Sequence, residues 1–422
     1  MLTKPTFMKN HILLFLAFVL LLNTQSFAQE TTQIVPNEND SRVITTGIPF
    51  LLITSDARAA GLADMGVATS VDAFSQQWNS SKYAFSETQS GIGVSYTPYL
   101  SKLVNDIFLG SLTYYNRLDE RSAFAASLRY FSLGEIEFVN GPDDTPRQQK
   151  PNELSLDASY ALRLSDQFAM SVAMRYLRSD LRIQGIGGDI SAANTFGVDI
   201  SGYYQGEEEA YNSYNGRWRG GFAIQNIGPK FKYDEGGQEN FQPTTLRLGG
   251  GFDFIFDDYN KIAVTAEVTK LLVPTPPKYG TEYVFEDLNG NGTYEEEDDN
   301  LISETENVIY QGKSNDVSFL SGMFQSFGDA PGGFSEELNE FTWALSAEYQ
   351  YQDSFAFRAG YFNEAEDKGA RKFLALGAGF KASIINIDLS YLFSASKVQS
   401  PLEGTLRFSL SFNIGEGAYV EY

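Results

Sequence analysis

The feature that most constrains this chain is a two-residue alternation of apolar and polar side chains, repeated in many short segments. Between 405 and 412, every even position is Leu or Phe, while Arg407 lies among the Thr and Ser residues at the odd positions. The same alternation occurs in 124–130, 154–163 and 385–393. Successive side chains of a strand point to opposite faces of a sheet, so each strand has one apolar face. A soluble sandwich also alternates, but it rarely carries charged residues on the minority face of strand after strand. The pattern therefore favours a transmembrane β-barrel, with the apolar face in lipid and the polar face in the lumen.

The number of segments and their spacing support the same fold class. About fourteen strands can be placed, an even number, as in bacterial single-chain barrels. Short turns such as Ser165–Asp166 alternate with long loops, the longest of which is Leu271–Leu338. This asymmetry is typical of periplasmic turns and external loops, and an even count predicts that both termini are periplasmic. The predicted strands are 88–97, 107–116, 122–131, 153–164, 167–178, 195–205, 216–227, 243–256, 260–270, 339–351, 353–362, 371–382, 384–395 and 403–414.

Charged residues of both signs lie on the faces assigned to the lumen. They predict an ion-paired, water-filled interior, and the alternative is a permeation path. Residues 29–87 precede the first strand without a clean strand pattern, so we expect them to fold into the lumen as a hatch. The charged lumen set comprises Arg129, Asp157, Arg163, Arg175, Asp199, Arg247, Glu267, Glu348, Arg358, Asp388 and Arg407.

The first 28 residues have the features of a cleavable export signal. Lys4 and Lys9 precede an apolar run over Ile12–Leu22, and Ser26-Phe27-Ala28 supplies small residues at the positions that a signal peptidase recognises. The run is too short to span a membrane as a helix. We therefore expect a signal peptide over 1–28, a hatch over 29–87 and a barrel over 88–422, in the outer membrane.

The composition excludes several classes of chemistry. The chain has no Cys, and its one His, His11, lies within the predicted signal peptide. A mature chain without either residue has no Ser-His-Asp or Cys-His nucleophile, and it lacks the usual ligands of zinc, haem and copper. The net charge of −23 argues against nucleic acid as a partner. We therefore predict no enzymatic activity.

The long loop contains one motif typical of a metal site. Residues 287–298 fit the calcium-loop pattern, with a Gly at the sharp turn and an Asp in place of the final Glu. A solvated acidic turn is the alternative interpretation. If calcium binds, its ligands are Asp287, Asn289, Asn291, Thr293, Glu295 and Asp298.

The same loop contains an unusually apolar stretch, Phe319–Phe327. If water reaches it, such a patch marks an interaction site, with Met323, Phe324 and Phe327 as its anchors. The alternative is that it packs on the loop itself or over the barrel mouth. We expect Asp329, Pro331, Gly332 and Gly333 to shape the turn into a short acidic helix over Ser335–Glu340.

Four stretches resemble a known family. They are LLITSDARAAGLADMGVA at 51–68, QNIGPKFKY at 225–233, FGDAPGGFSEEL at 327–338, and FAFRAGYF with KGARKF at 355–362 and 368–373. Together they resemble the PorV family, the outer-membrane component of the Bacteroidetes type IX secretion system, whose barrel is similar to FadL. The resemblance implies a non-enzymatic adaptor in the outer membrane. Its implied partners are the translocon barrel, cargo with a C-terminal signal domain, the surface sortase and attachment complex, and outer-membrane lipids. The alternative is a FadL-type transporter of hydrophobic small molecules.

Overall fold

The computed structural model describes residues 29–38, 40–139, 145–181, 192–233, 237–396 and 400–416. The predicted signal peptide, 1–28, lies outside the described residues. The chain divides into two compact units. The first comprises Met1–Ser41 and Pro277–Ser314, and the second comprises Arg42–Pro276 and Asn315–Tyr422.

The described residues form mostly strands, with a few short helices. The α-helices are α1 Ala57–Gly61, α2 Ser75–Trp78, α3 Phe319–Gln325 and α4 Phe334–Asn339, and the 3₁₀ helices are Pro49–Leu52 and Ser80–Phe85. Within the described part of the chain, no helix is long and apolar enough to cross a membrane. The strands in chain order are β1 Gln29–Pro36, β2 Thr88–Pro98, β3 Ile107–Arg117, β4 Ser122–Leu133, β5 Ile136–Phe138, β6 Arg147–Gln149, β7 Asn152–Ser165, β8 Phe168–Asp180, β9 Ala193–Gln205, β10 Glu209–Ala210, β11 Asn215–Ile227, β12 Thr245–Ile255, β13 Asn260–Leu271, β14 Lys278–Asp287, β15 Asn300–Gln311, β16 Phe341–Tyr351, β17 Phe355–Asn363, β18 Lys372–Ala382, β19 Ile385–Ser394 and β20 Leu406–Glu416.

Fourteen of these strands form a closed antiparallel barrel in the second unit. They are β2–β4, β7–β9, β11–β13 and β16–β20, and β2 pairs with β20. The ring closes where β9 pairs with β11, whose register shifts between Ile224 and Ile227. The predicted fold class and strand count are therefore confirmed. Closure leaves no exposed edge along the wall, which a sheet in lipid requires.

The wall has an apolar outer face and a polar inner face. Outward side chains such as Met174, Phe196 and Trp218 are more than half exposed. Inward neighbours on the same strands are buried and charged, such as Arg175, Asp199 and Arg219. This is the distribution that lipid outside and a polar lumen inside require.

The connections differ in length at the two ends of the barrel. One end carries short turns such as 166–167 and 383–384, and we call it the short-turn end. The other carries the longest connections, among them 228–244 and 272–340, and we call it the long-loop end. The predicted alternation of short and long connections is thus present.

The first unit is a three-stranded sheet in the order β1-β14-β15. Its central strand, β14, pairs antiparallel with β1 over eight residues, from Gln29 opposite Asp287 to Pro36 opposite Gly280. Tyr283 and Tyr294 stack within this unit, with ring centroids 4.8 Å apart. The sequence patterns did not predict these strands. Residues 29–41, which we expected to begin the hatch, belong to this sheet.

Residues 42–87 of the second unit form what we call the inner segment. Most side chains between Ile48 and Ser86 are buried, and they contact inward-facing residues all around the ring. Ser80 bonds to Ser171 on β8 over 2.8 Å, and Asp64 accepts a hydrogen bond from Arg407 on β20 over 3.2 Å. A segment that contacts opposite parts of a closed ring from its inner face lies in the lumen.

Alanines on the wall make room for the aromatic residues of the inner segment. Phe74 and Tyr83 form a buried cluster with four wall residues whose short side chains leave space in the lumen. Tyr83 also stacks on Tyr115 of β3, with ring centroids 4.7 Å apart. The wall positions that leave this space are Ala123, Ala125, Ala161 and Ala169.

The inner segment crosses the barrel from one end to the other. At the long-loop end, the backbone N–H of Gly47 donates to the carbonyl of Phe241. At the short-turn end, Arg117 donates to the carbonyl of Ser86 over 2.7 Å, and Glu416 pairs with Thr88. The chain thus enters the barrel at the long-loop end and ends at the short-turn end. That both termini are periplasmic stays a prediction.

Candidate functional site

The SDARAAG stretch holds the inner segment through one helix cap and one arginine. Asp56 caps α1 by accepting a hydrogen bond from the Ala59 N–H over 2.8 Å, and it also accepts one from the Trp78 indole over 2.9 Å. A capping carboxylate satisfies a backbone donor that the first turn leaves unpaired. Gly61 packs closely on the wall, because a Cβ there would lie 3.0 Å from the Cα of Gly377 on β18.

Arg58 joins the inner segment to the wall through buried ion pairs. Its guanidinium contacts Asp72 at 2.6 Å and Glu348 of β16 at 3.0 Å. Glu348 also accepts a hydrogen bond from Arg358, which contacts Asp388 at 2.7 Å. Buried charges are tolerated only when they are paired in this way. The network fixes the inner segment against three strands of the wall.

A second network lies on the opposite side of the ring. Arg175 of β8 contacts Asp157 of β7 and, at 2.9 Å, Asp199 of β9. Asp199 also accepts a hydrogen bond from the N–H of Asn226 over 2.7 Å, at the position where the β9–β11 register shifts. Most of the predicted lumen charges are thus paired. The inner segment, however, occupies much of the space that the sequence assigned to water.

Of three consecutive glycines on β12, Gly249 is the one that fits closely against the inner segment. A Cβ at Gly249 would lie 2.7 Å from Cγ1 of Val67, whereas one at Gly250 has no neighbour nearer than 3.9 Å. The register of β12 against β13 continues unshifted through Gly251. These glycines therefore allow close packing rather than a kink in the wall.

The DAPGGF stretch forms the predicted turn at the long-loop end. Asp329 accepts a hydrogen bond from the N–H of Thr275 over 3.1 Å. Glu337 accepts two more, from the N–H groups of Asp329 and Ala330, over 2.7 and 2.8 Å. Gly333 has a φ of +69°, a conformation in which a side chain is strained. Helix α4 follows at Phe334–Asn339, one residue from the predicted position.

Acidic residues of α4 and of the position that follows it tie the turn to the rest of the unit. Glu336 contacts Arg42 at 2.7 Å and Lys368 at 2.7 Å. Glu340 contacts Lys270 at 2.5 Å and Lys368 at 3.1 Å. These four charged pairs hold the turn in place from several directions.

Two carboxyl groups of this cluster have shifted pKa values, in opposite directions. Burial raises the pKa of Asp329 to about 6, against the effect of the Thr275 N–H. Burial also acts to raise the pKa of Glu336, but hydrogen bonds from Lys368, the Gly332 N–H and Arg42 outweigh it and lower the value to about 2. Glu336 is therefore ionised throughout the physiological range.

The turn and its helices leave large apolar side chains in solvent. Phe324 and Phe334 are each 78% exposed, and three further residues of the loop are at least half exposed. Met323, predicted as an anchor, is only partly exposed. Gly322 instead packs against Phe241 and Pro274, so one side of α3 lies on its own unit. The exposed set, which we call the apolar patch, comprises Leu320, Phe324, Phe327, Phe334 and Leu338.

Part of this patch was predicted from the apolar stretch Phe319–Phe327. Phe324 and Phe327 were predicted as anchors within this stretch. Leu320 lies in the same stretch but was not named as an anchor. Phe334 and Leu338 were not predicted as part of the patch, because they stand among polar residues. Of the predicted turn residues, Asp329 and Pro331 are buried. They shape the loop and are not available to a partner.

The calcium-like loop is closed by hydrogen bonds to its own backbone. Asp287 accepts hydrogen bonds from the N–H groups of Gly290 and Gly292, over 2.6 and 2.8 Å. Asn289 and Asn291 each accept one from the backbone two residues further on, over 2.9 and 2.7 Å. Oxygens of the predicted ligands thus gather around one short turn.

At the C-terminal end of this loop, the carboxylate that points inward is not the one predicted as a ligand. Asp299, rather than Asp298, turns into the loop and accepts hydrogen bonds from the N–H groups of Leu288 and Glu295, over 3.2 and 3.0 Å. In the described parts of the chain, no group of three or more His, Cys, Asp or Glu side chains is arranged to hold a metal ion. Calcium binding stays a prediction, in which Asp298 and Thr293 would have to join Glu295 as ligands.

Two cavities accompany the inner segment. One, of about 460 Å³, lies at the short-turn end and is lined by charged side chains, among them Arg58, Asp72 and Arg358. The other, of about 90 Å³, lies beside Trp343 and Phe362 on the other side of the segment. The smaller cavity is well below the ~300–1,000 Å³ typical of ligand pockets.

The closed ring and its apolar outer face define the class: this is an outer-membrane β-barrel. The family model described as Type IX secretion system protein PorV matches residues 36–278. The chain therefore belongs to the PorV family, and it is an outer-membrane protein of the type IX secretion system. No protein of curated function matches it in sequence.

Several solved barrels are similar in fold. A Pseudomonas aeruginosa FadL homologue is 12% identical with a TM-score of 0.40, and the match covers 89% of this chain and 100% of that one. The Ralstonia pickettii toluene transporter TbuX is 12% identical with a TM-score of 0.42, over 86% and 97%. The P. putida toluene transporter TodX is 11% identical with a TM-score of 0.45, over 86% and 99%.

Proposed function

We propose that this chain is a non-enzymatic adaptor that binds its partners through the long-loop end, while the lumen stays closed. In this proposal the long-loop end faces the cell exterior. The adaptor takes cargo with a C-terminal signal domain from the translocon barrel and passes it to the surface sortase and attachment complex. Membership of the PorV family supports the secretion role, and the surface of the loop supports the mode of binding.

The apolar patch is the observation that carries this proposal. Five large apolar side chains within residues 320–338 are each at least half exposed. Exposed apolar surface of this kind marks an interaction site, and aromatic side chains are enriched at such sites. The turn beneath the patch is fixed by the ion pairs of Glu336 and Glu340, so a partner meets a preformed surface and little ordering entropy is lost.

The contacts of the inner segment argue against the transporter alternative. A hydrophobic substrate needs an apolar route past residues 42–87, which are bound to the wall by the Arg58 network. The larger cavity is charged, and the smaller one is too small for an alkyl chain. In this proposal, outer-membrane lipids surround the barrel and are not transported through it.

The test is affinity purification of tagged variants from gently solubilised outer membranes, followed by mass spectrometry. We expect Phe324→Asp with Phe334→Asp to lose the translocon barrel and the cargo proteins, because a carboxylate in an apolar contact is strongly unfavourable. Phe256→Asp is the matched control, since Phe256 is also exposed but lies in a short turn. Retention of all partners by the double variant would overturn the proposal.

A further inference from the structure

The three-stranded sheet of the first unit has an open edge. Strand β15, Asn300–Gln311, pairs with β14 on one side, and no strand of the described residues pairs with its other side. All of its side chains but Val308 are exposed. An unpaired strand of this length presents a row of backbone N–H and C=O groups to which another strand can add.

The charge of this sheet is strongly one-sided. Residues 29–41 and 277–314 contain thirteen Asp and Glu against two Lys, a net charge of −11 within a chain of −23. On the open strand, Glu304 and Glu306 lie two residues apart and both are exposed. The register of β15 against β14 shifts just beyond Thr305, where Asn307 has a φ of +59°. A strand added beside β15 would place its own side chains next to these carboxylates.

The same charge disfavours a second copy of this chain as the occupant. A symmetric antiparallel pairing centred on Thr305 would put Glu304 of each copy opposite Glu306 of the other. Like charges directly opposite each other destabilise a strand pair. Charged side chains on an edge strand are also a means by which sheets avoid pairing with themselves. The carboxylates therefore disfavour pairing of β15 with a second copy of itself, but they do not disfavour pairing with a basic strand.

We propose that the open edge of β15 binds an extended segment of another protein by strand addition, and that this segment carries Lys or Arg at alternate positions. Main-chain hydrogen bonds supply the affinity of such a complex, and the alternate side chains supply its specificity. Lysines opposite Glu304 and Glu306 complete two cross-strand ion pairs. Leu301 and Ile309 lie towards the two ends of the strand and extend the contact with apolar surface. This site belongs to the first unit, whereas the apolar patch belongs to the second, and the proposal does not depend on the secretion role.

The test uses the full mature chain in detergent and a labelled ten-residue peptide that alternates lysine with threonine. Fluorescence anisotropy measures binding at low salt and at a higher ionic strength, where charge pairs on a surface are screened. A second peptide has the same sequence but carries N-methyl groups on alternate backbone amides. This second peptide keeps the charge of the first, but it lacks the backbone hydrogen-bond donors along one of its two edges.

Two double variants separate the edge from the general acidity of the sheet. Glu304→Lys with Glu306→Lys changes the open strand, whereas Glu296→Lys with Glu297→Lys makes the same net-charge change in the exposed turn before β15. We expect the first pair to weaken binding about tenfold, because two attractive cross-strand pairs become repulsive. We expect the second pair to change binding less than about twofold, through screened long-range charge alone.

Each other outcome overturns the proposal. Equal binding of the N-methylated peptide would mean that the backbone edge is not used. Equal effects of the two double variants would mean that only net charge matters. No binding at low salt would mean that the edge is closed, and a dimer of the unliganded chain that dissociates in the Glu304→Lys, Glu306→Lys variant would assign the edge to a second copy.

Discussion

At the scale of single residues, the lumen is held together by charges that compensate one another. The inward charges of the wall could be predicted from the alternation in sequence, because any Arg or Asp on a barrel's minority face must point inward. Their partners could not be predicted. Arg58 reaches Glu348 across 290 positions of the chain, and no local pattern encodes such a pair. The close approach of Gly61 to Gly377 is hidden for the same reason.

Arg58→Ala tests the network by removal of one cation. We expect the variant to unfold more readily by about 3 kcal/mol, because Asp72 and Glu348 keep their buried charges and lose the guanidinium that contacts both. Samples are incubated at a series of temperatures and then run on SDS gels. The measurement is the temperature at which the compact, folded form of the barrel disappears. Arg121→Ala in a short turn is the control, since an exposed arginine should contribute less than about 1 kcal/mol. Equal shifts for both variants would contradict the assignment.

Gly249→Ala and Gly250→Ala form a matched pair on one strand. The methyl group at 249 meets Val67 and the fixed wall, so we expect a loss of about 1–3 kcal/mol from overpacking. The methyl group at 250 meets open space, and the change there should stay within about 0.5 kcal/mol. The same gel assay measures both. If Gly250→Ala is the more destabilising of the two, β12 faces the inner segment differently from the structure described above.

At the scale of elements, the fourteen barrel strands could be predicted nearly to their ends, because lipid and lumen impose a period of two on every strand. The sheet of β1, β14 and β15 could not. Strand β15 is exposed on both faces, so no face selects apolar residues and the alternation is lost. Strand β1 pairs with residues about 250 positions away, in a loop for which no strands were predicted. Polar, two-sided strands leave no signal in a single sequence.

Calcium binding belongs to the loop that links β14 to β15. If the predicted site exists, millimolar calcium should protect residues 287–298 from proteolysis, because the ion draws Glu295 and Asp298 towards Asp287. Asp287→Ala should abolish this protection, and Glu297→Gln should leave it unchanged. The measurement is the rate of cleavage in the loop with calcium and with a chelator. Absence of both bound metal and protection would establish the alternative, a solvated acidic turn.

At the scale of the whole molecule, the proposed function makes the barrel a scaffold whose long-loop end binds the partners while its lumen stays closed. The inner segment runs from the long-loop end, where Gly47 bonds to Phe241, to the short-turn end, where Ser86 bonds to Arg117. An adaptor needs no movement of this segment, whereas a transporter does. The two functions therefore predict opposite results for a variant in which the inner segment is covalently fixed to the wall. An adaptor should keep its activity, and a transporter should lose it.

The most direct test is cargo release into the medium by a locked variant. The chain has no native cysteine, and the hydroxyl oxygens of Ser80 and Ser171 lie 2.8 Å apart, so Ser80→Cys with Ser171→Cys should form a disulfide between the inner segment and β8. We predict that cells with the locked chain secrete type IX cargo at the rate of the unmodified chain. Loss of secretion in the oxidised variant, with recovery after reduction, would contradict the claim that this protein works from its surface and not through its lumen.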